Sequence, residues 1–164
     1  MGTLNAQIVG SRVFDSTPVT VTDPCYKAGT WCTLKAQVKP GTYACVAWKG
    51  RVWTTNPVTG KRTSHTQIFG NGIYLDGKIP KQDVCVKIGE IGVDAGLAGF
   101  FQDKPDYKDE AWFQLCDAVH IKNWLITKEG FFTQSGWGDG TYSVYAFKDK
   151  NGDITGLEIN FGDE

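Results

Sequence analysis

The last quarter of the chain carries the pattern that most restricts its fold. Two runs of alternating apolar and polar side chains, residues 142–147 and 154–161, flank a short polar segment that contains Asn151-Gly152. Asn-Gly is typical of a type I′ turn, in which both central residues need positive φ. Alternation with a period of two places every second side chain on the same, buried face. The pattern therefore predicts an antiparallel β-hairpin.

The rest of the chain favours the same class of fold. β-Branched and aromatic residues dominate residues 42–48 and 84–88, which we expect to be strands. Gly, Pro and charged residues indicate a tight turn at Lys49-Gly50, a loop over 56–64 and irregular structure over 71–82. One helical window spans residues 105–123, because apolar residues recur there at helical spacing after an acidic start.

These elements predict a mainly β protein. We expect an antiparallel β-sandwich or half-open barrel, with one helix near residues 107–119 packed on it. The 164 residues, 41% of them apolar and 13% aromatic, suit a single domain covering residues 1–164.

Charge and hydropathy narrow the possible partners. The net charge of −1 argues against nucleic acid as the main partner, because phosphate binding needs concentrated Lys and Arg. We interpret Lys61-Arg62 as part of a solvated turn.

Residues 1–9 lack the pattern of a signal peptide, and no stretch approaches the roughly 20 apolar residues of a membrane helix. We expect a cytoplasmic protein that binds a protein or a small molecule, with no membrane partner.

The five cysteines are predicted to be free thiols. An odd count without a secretion signal argues against a disulfide framework, although Cys25 and Cys32 flank one turn. The absence of a Cys-x-x-Cys pair argues against zinc. Asp149, Asn151 and Asp153 have the spacing that opens a calcium loop, but that loop also needs Gly and Glu at later positions where this chain lacks them. We expect neither a metal nor a cofactor.

Two glycine-rich loops that each contain an aspartate are the candidates for chemistry. They surround Asp94 in residues 93–99 and Asp139 in residues 135–142. We expect both loops at one rim of the sheet, where the two carboxylates could divide acid and base roles, with His120 or Cys25 nearby. The alternative is that these aspartates hydrogen-bond their own turns, which is the commoner role of Asp in such loops.

Trp137 carries an argument for binding rather than catalysis. It lies between two glycines, so it is the tryptophan least expected to be ordinary core. Tryptophan joins a large apolar area to a hydrogen-bond donor, and it is enriched where proteins bind partners or stack on rings. The alternative is that its ring closes one end of the sandwich.

Several blocks together resemble the domain of unknown function 4241 family of bacterial and phage-borne proteins. The resemblance covers roughly residues 15–162, and its most specific piece is the block around Trp137. It is carried by these segments: Asp23-Pro24-Cys25-Tyr26, Pro40-Gly41-Thr42-Tyr43, Val93-Asp94-Ala95-Gly96 and Ser135-Gly136-Trp137-Gly138-Asp139-Gly140-Thr141-Tyr142. The resemblance implies a mostly β fold and no reaction, and it suggests a role in bacterial or phage conflict, such as immunity or anti-defence.

The sequence therefore predicts a non-enzymatic binding module that takes a protein partner or a small nucleotide-like ligand. The alternative is a small hydrolase whose catalytic candidates are Asp94 and Asp139. The residues that we expect to contact a ligand come from three segments of the chain: Asp23, Tyr26, Asp94, Trp137, Gly138, Asp139 and Tyr142.

Overall fold

The computed structural model describes residues 5–27, 29–79 and 85–162. It contains eleven strands and one helix among these residues, in this order: β1 (Asn5–Phe14), β2 (Val19–Thr22), β3 (Leu34–Ala36), β4 (Gly41–Thr55), β5 (Arg62–Leu75), β6 (Cys85–Val93), β7 (Leu97–Phe101), α1 (Asp109–Lys122), β8 (Trp124–Ile126), β9 (Gly130–Gln134), β10 (Gly140–Lys148) and β11 (Ile154–Asn160).

The strands form two antiparallel sheets that pack as a β-sandwich. The larger sheet has the order β1-β4-β5-β11-β10-β6, and the smaller one has the order β3-β2-β7-β9-β8. Within the described ranges neither sheet closes into a barrel, and the two packed sheets match the β-sandwich of the two alternatives that the sequence left open. The mainly β sandwich with one helix is confirmed.

Two of the three apolar clusters define three layers, and the third lies on the other face of the larger sheet around Tyr74 and Phe147. The main core lies between the sheets and includes Phe100 and Phe131, whose stacked rings have centroids 6.5 Å apart. The next residue of each strand, Phe101 and Phe132, faces the other way and packs with Leu115 and Val119 of α1. Alternation along β7 and β9 therefore covers both faces of the smaller sheet, and α1 forms the third layer.

A buried amide links the two sheets. Asn71 of β5 is fully buried, and its Nδ2 donates to the Ala98 carbonyl of β7 and to Thr133 Oγ1 of β9, both at 2.9 Å. A buried polar group without partners would be costly, so these bonds restrict how one sheet lies over the other.

The helix and the terminal hairpin agree with the sequence, with one correction of turn type. The helix spans Asp109–Lys122, against the predicted 107–119, and ends at Asn123 in the left-handed conformation. Strands β10 and β11 pair as expected, but only Gly152 of the Asn-Gly pair has positive φ. The Gly152 N–H donates to the Asp149 carbonyl, which is a type I turn followed by a left-handed glycine rather than a type I′ turn.

Strands β4 and β5 are longer than the sequence pattern indicates. The predicted turn at Lys49-Gly50 is wrong, because β4 continues through it with a register shift between Trp48 and Lys49. The predicted loop ends early, since β5 begins at Arg62, and residues 71–75, expected to be irregular, continue that strand. Val84, at the start of the strand expected over 84–88, lies outside the described residues. No helix among the described residues is long and apolar enough to span a membrane.

Candidate functional site

The two glycine-rich loops lie side by side at one end of the sandwich. Strand β6 ends at Val93, which pairs with Gly140 at the start of β10, so Asp94 and Asp139 each stand one residue beyond the last pair. The Ser135 N–H donates to the Gly96 carbonyl at 2.9 Å. The expectation that the loops share one rim is confirmed. We call residues 94–96 the first rim loop and residues 135–139 the second rim loop.

A cleft opens between these loops and α1. The cleft has a volume of about 310 Å³, at the small end of the range for ligand pockets. Three residues of the helix form one wall, namely Cys116, Val119 and His120. The remaining lining comes from the rim: Ala95, Gly96, Leu97, Gln134, Ser135, Gly136 and Gly138. We call this space the rim cleft.

The second rim loop is held in one conformation by its own hydrogen bonds. Gly136 has φ +71°, and the Trp137 N–H donates to the Ser135 carbonyl at 2.8 Å, which makes a tight γ-turn. A Cβ at Gly136 would collide with the Ile68 carbonyl oxygen. The Gly138 carbonyl accepts from Ser135 Oγ at 2.9 Å and from Tyr142 Oη at 2.8 Å. The loop is therefore preorganised rather than open to rearrangement.

The ring of Trp137 lies apart from the rim cleft. Its edge contacts Phe69 of β5, with ring centroids 5.9 Å apart and an interplanar angle of 84°. The residue is 52% exposed, so it does not close the sandwich as a buried plug would. Gly136 and Gly138 line the cleft, but Trp137 does not. The second rim loop thus presents backbone to the cleft and an aromatic ring to the neighbouring surface.

Asp23 joins the first rim loop to the turn that follows β2. Its side chain is fully buried. Oδ2 accepts the N–H groups of Asp94 and Ala95 at 3.0 and 2.7 Å, and Oδ1 accepts the N–H of Cys25 at 2.9 Å. Both carboxylate oxygens are thus engaged with the protein's own backbone, which gives this residue a positioning role at the rim.

The other predicted ligand residues differ in what their side chains offer. The side chains of Asp94 and Asp139 are exposed, and neither lines the rim cleft. Tyr142 is half-buried, with its ring packed edge-on against Phe161 and its hydroxyl bonded to Gly138. Tyr26 is half-buried, and burial together with the neighbouring Cys32 raises its pKa to about 12.

The two cysteines nearest the rim are poor nucleophiles. Burial, the adjacent Asp23 charge and a hydrogen bond to that carboxylate raise the pKa of the Cys25 thiol to about 12. Burial and Asp117 raise the pKa of Cys116 in the cleft wall. A raised pKa lowers the thiolate fraction at neutral pH, which is the reactive form. Cys25 and Cys32 are both free thiols, as expected.

Sequence reasoning named His120 but missed the wall to which it belongs. Cys116, Val119 and His120 are spaced i, i+3 and i+4, so they share one face of α1. The spacing is visible in the sequence, whereas the packing of that face beside the glycine loops is not. Gln134 was also missed. It is the last residue of β9, and the sequence pattern did not predict that strand.

Within the described residues no group of three His, Cys, Asp or Glu side chains is arranged to hold a metal ion.

Comparison with known proteins finds no relative. No family model matches the chain, and no curated protein or solved structure matches it. The resemblance to the domain of unknown function 4241 family stays a prediction.

Proposed function

We propose that this protein is a non-enzymatic binding module and that its binding site is the rim cleft. The observation that carries the proposal is the convergence of two glycine-rich loops and one helix face on a single concave space. Such mixed apolar and polar concavities are where proteins bind small groups. The ligand would be a protein side chain or a small nucleotide-like molecule.

The chemistry of the cleft indicates what a ligand should carry. Among the described residues, the N–H groups of Gly136 and Gly138 have no protein acceptor. They can donate to carbonyl, carboxylate or phosphate oxygens of a ligand. Leu97 and Val119 offer apolar contact in the same space, and His120 is exposed at its edge. A ligand with one apolar part and one acceptor group matches this lining.

The alternative of a small hydrolase has less support. Its two proposed carboxylates, Asp94 and Asp139, are neighbours at the rim, but both are exposed and outside the cleft lining. An acid or base works best where water is excluded and a proton partner is in reach. The setting of bacterial or phage conflict stays a prediction of the family resemblance.

Titration followed by nuclear magnetic resonance tests the site directly. A ¹⁵N-labelled sample is titrated with AMP, GMP, CMP and UMP to millimolar concentration. We expect amide shifts concentrated at Gly136, Gly138 and the residues of α1 that line the cleft. His120→Ala should weaken the response at least fivefold.

The matched control is Gln114→Ala, on the same helix and exposed but outside the cleft. It should leave the response unchanged. The same pair of variants is compared in affinity capture from a bacterial lysate, to detect a protein partner. If neither probe responds, or if His120→Ala and Gln114→Ala behave alike, the rim cleft is not the binding site.

A further inference from the structure

The hairpin of β4 and β5 extends beyond the sheet that contains it. On one side, the pairing of β1 with β4 ends at Asn5 and Lys49. On the other side, β11 pairs with β5 no further than Gly70. Beyond these points the described residues pair β4 and β5 only with each other, from Gly50 with Gln67 to Thr55 with Arg62. We call residues 50–67, together with Lys49 at their base, the basic arm.

The basic arm is strongly positive, although the chain as a whole has a small negative net charge. It contains four cationic residues, Lys49, Arg51, Lys61 and Arg62, together with one histidine. No Asp or Glu occurs anywhere between Asp23 and Asp76, although the whole chain has a net charge of −1. The sequence indicated only a solvated turn at residues 61–62, because the strand pairing that places Arg51 and Arg62 on the same face was not visible.

Strand register places the arginines on one face of the ribbon with an aromatic ring. Arg51 and Trp53 are two residues apart in β4, so they share a face, and Arg51 Nη1 donates to Ser64 Oγ at 2.6 Å. The Arg62 guanidinium lies 4.5 Å from the centre of the half-exposed Trp53 ring. The described residues include no carboxylate in an ion pair with either arginine. Both guanidinium groups are therefore positioned and available to an external anion.

The opposite face of the arm is mostly polar, with Val52 as its one apolar side chain. Thr54 and Thr63 hydroxyls lie 3.1 Å apart, and His65 Nε2 lies 3.3 Å from Gln67 Oε1. A protein interface usually has an apolar centre, whereas a nucleic-acid interface is polar and positively charged. The arm also carries the exposed Val58 at its tip, but its cationic and polar side chains outnumber the apolar ones, and this composition favours nucleic acid over an acidic protein surface.

We propose that the basic arm binds duplex DNA by inserting as a two-stranded ribbon into the major groove. The groove is about 12 Å wide and admits such a ribbon. Arg51 and Arg62 would contact phosphates or guanine edges, and the hydroxyl and amide side chains would contact neighbouring polar groups. Arg62 already covers the Trp53 ring, which leaves less of it for stacking on unpaired bases.

Fluorescence anisotropy with a labelled 20-base-pair duplex tests the proposal across a salt series. With four cations engaged, log K should fall against log salt with a slope of about −3.6. Arg51→Gln combined with Arg62→Gln should reduce the slope to about −1.8 and weaken binding at least tenfold at 50 mM salt. Circular dichroism melts verify that each variant folds. Lys49→Gln with Lys61→Gln is a second pair with the same expectation.

The matched control is Lys148→Gln with Lys150→Gln, which removes the same charge from two exposed residues, one at the end of β10 and one in the turn that follows. It should leave affinity and slope unchanged. Three results would overturn the proposal: no duplex binding at 50 mM salt, equal losses in arm and control variants, or equal affinity for polyglutamate. Tighter binding to a single-stranded 20-mer would overturn the groove geometry. None of these measurements involves the rim cleft, so the two proposals fail independently.

Discussion

Replacing Asp23 by alanine removes the acceptor for three backbone N–H groups at once. Those groups belong to Cys25, Asp94 and Ala95, at donor–acceptor distances of 2.7–3.0 Å, and the carboxylate that they share is fully buried. A hydrogen bond to a charged group contributes about 1.5–3 kcal/mol to stability. The donors are only partly buried and the three losses are not additive, so we expect a total loss of about 3–5 kcal/mol.

Asp23→Asn distinguishes the acceptor role from simple packing. Asparagine has nearly the same volume, but its amide has one acceptor oxygen and one donor nitrogen. Because both carboxylate oxygens accept N–H groups here, the amide nitrogen must face a donor. We expect a loss of about 2–4 kcal/mol for this variant, although it fills the same space.

Urea melts followed by tryptophan fluorescence and circular dichroism measure these losses. The loss for Asp23→Ala should also lower Tm by roughly 10 °C for a chain of this length. The control is Asp15→Ala, which removes an acceptor of the Thr17 N–H at 2.8 Å from an exposed turn and should cost less than about 1 kcal/mol. If both Asp23 variants lie within 1 kcal/mol of wild type, the structural role is refuted.

Three further outcomes are expected. Trp137→Ala should destabilise the fold by about 1–2 kcal/mol in urea melts, because half of the ring is exposed. Truncation of a fully buried aromatic side chain costs about 3–5 kcal/mol. A loss of that size would show that the Trp137 ring packs as part of the core. Cys25, although exposed, should alkylate slowly at pH 8 because its pKa is raised to about 12, and peptide mass mapping should find it modified only after unfolding. Burial raises the pKa of Cys45 to about 12, so its thiol ionises first in the unfolded chain, and this residue alone should contribute a loss of about 1.4 kcal/mol per pH unit as the pH rises from about 9 to about 12. Cys45→Ala should therefore show an alkaline slope that is shallower than the wild-type slope by that amount, and an unchanged slope would contradict this.

The sequence predicts well the two elements whose signals lie within a few neighbouring residues, the terminal hairpin and the helix. The terminal hairpin depends on Asp149 and Gly152, which lie within four residues of each other, and the helix depends on spacing within α1. Such signals act over a few residues, so they can be recognised without knowing what the segment packs against. Even there, the pairing of β10 with β11 selected the turn type.

Tertiary contacts decided the extent of β4 and β5 and the role of the candidate residues. Lys49-Gly50 has the composition of a turn, but thirteen cross-strand pairs, six before and seven after one register shift, hold the chain extended through it. Asp23 and Asp94 are both aspartates in turns. Asp23 is buried and accepts hydrogen bonds from three N–H groups, whereas Asp94 is exposed. Burial and pairing depend on residues distant in sequence, and for that reason only the folded structure could distinguish the positioning aspartate from the exposed one, or place Arg51 and Arg62 on one face of the basic arm.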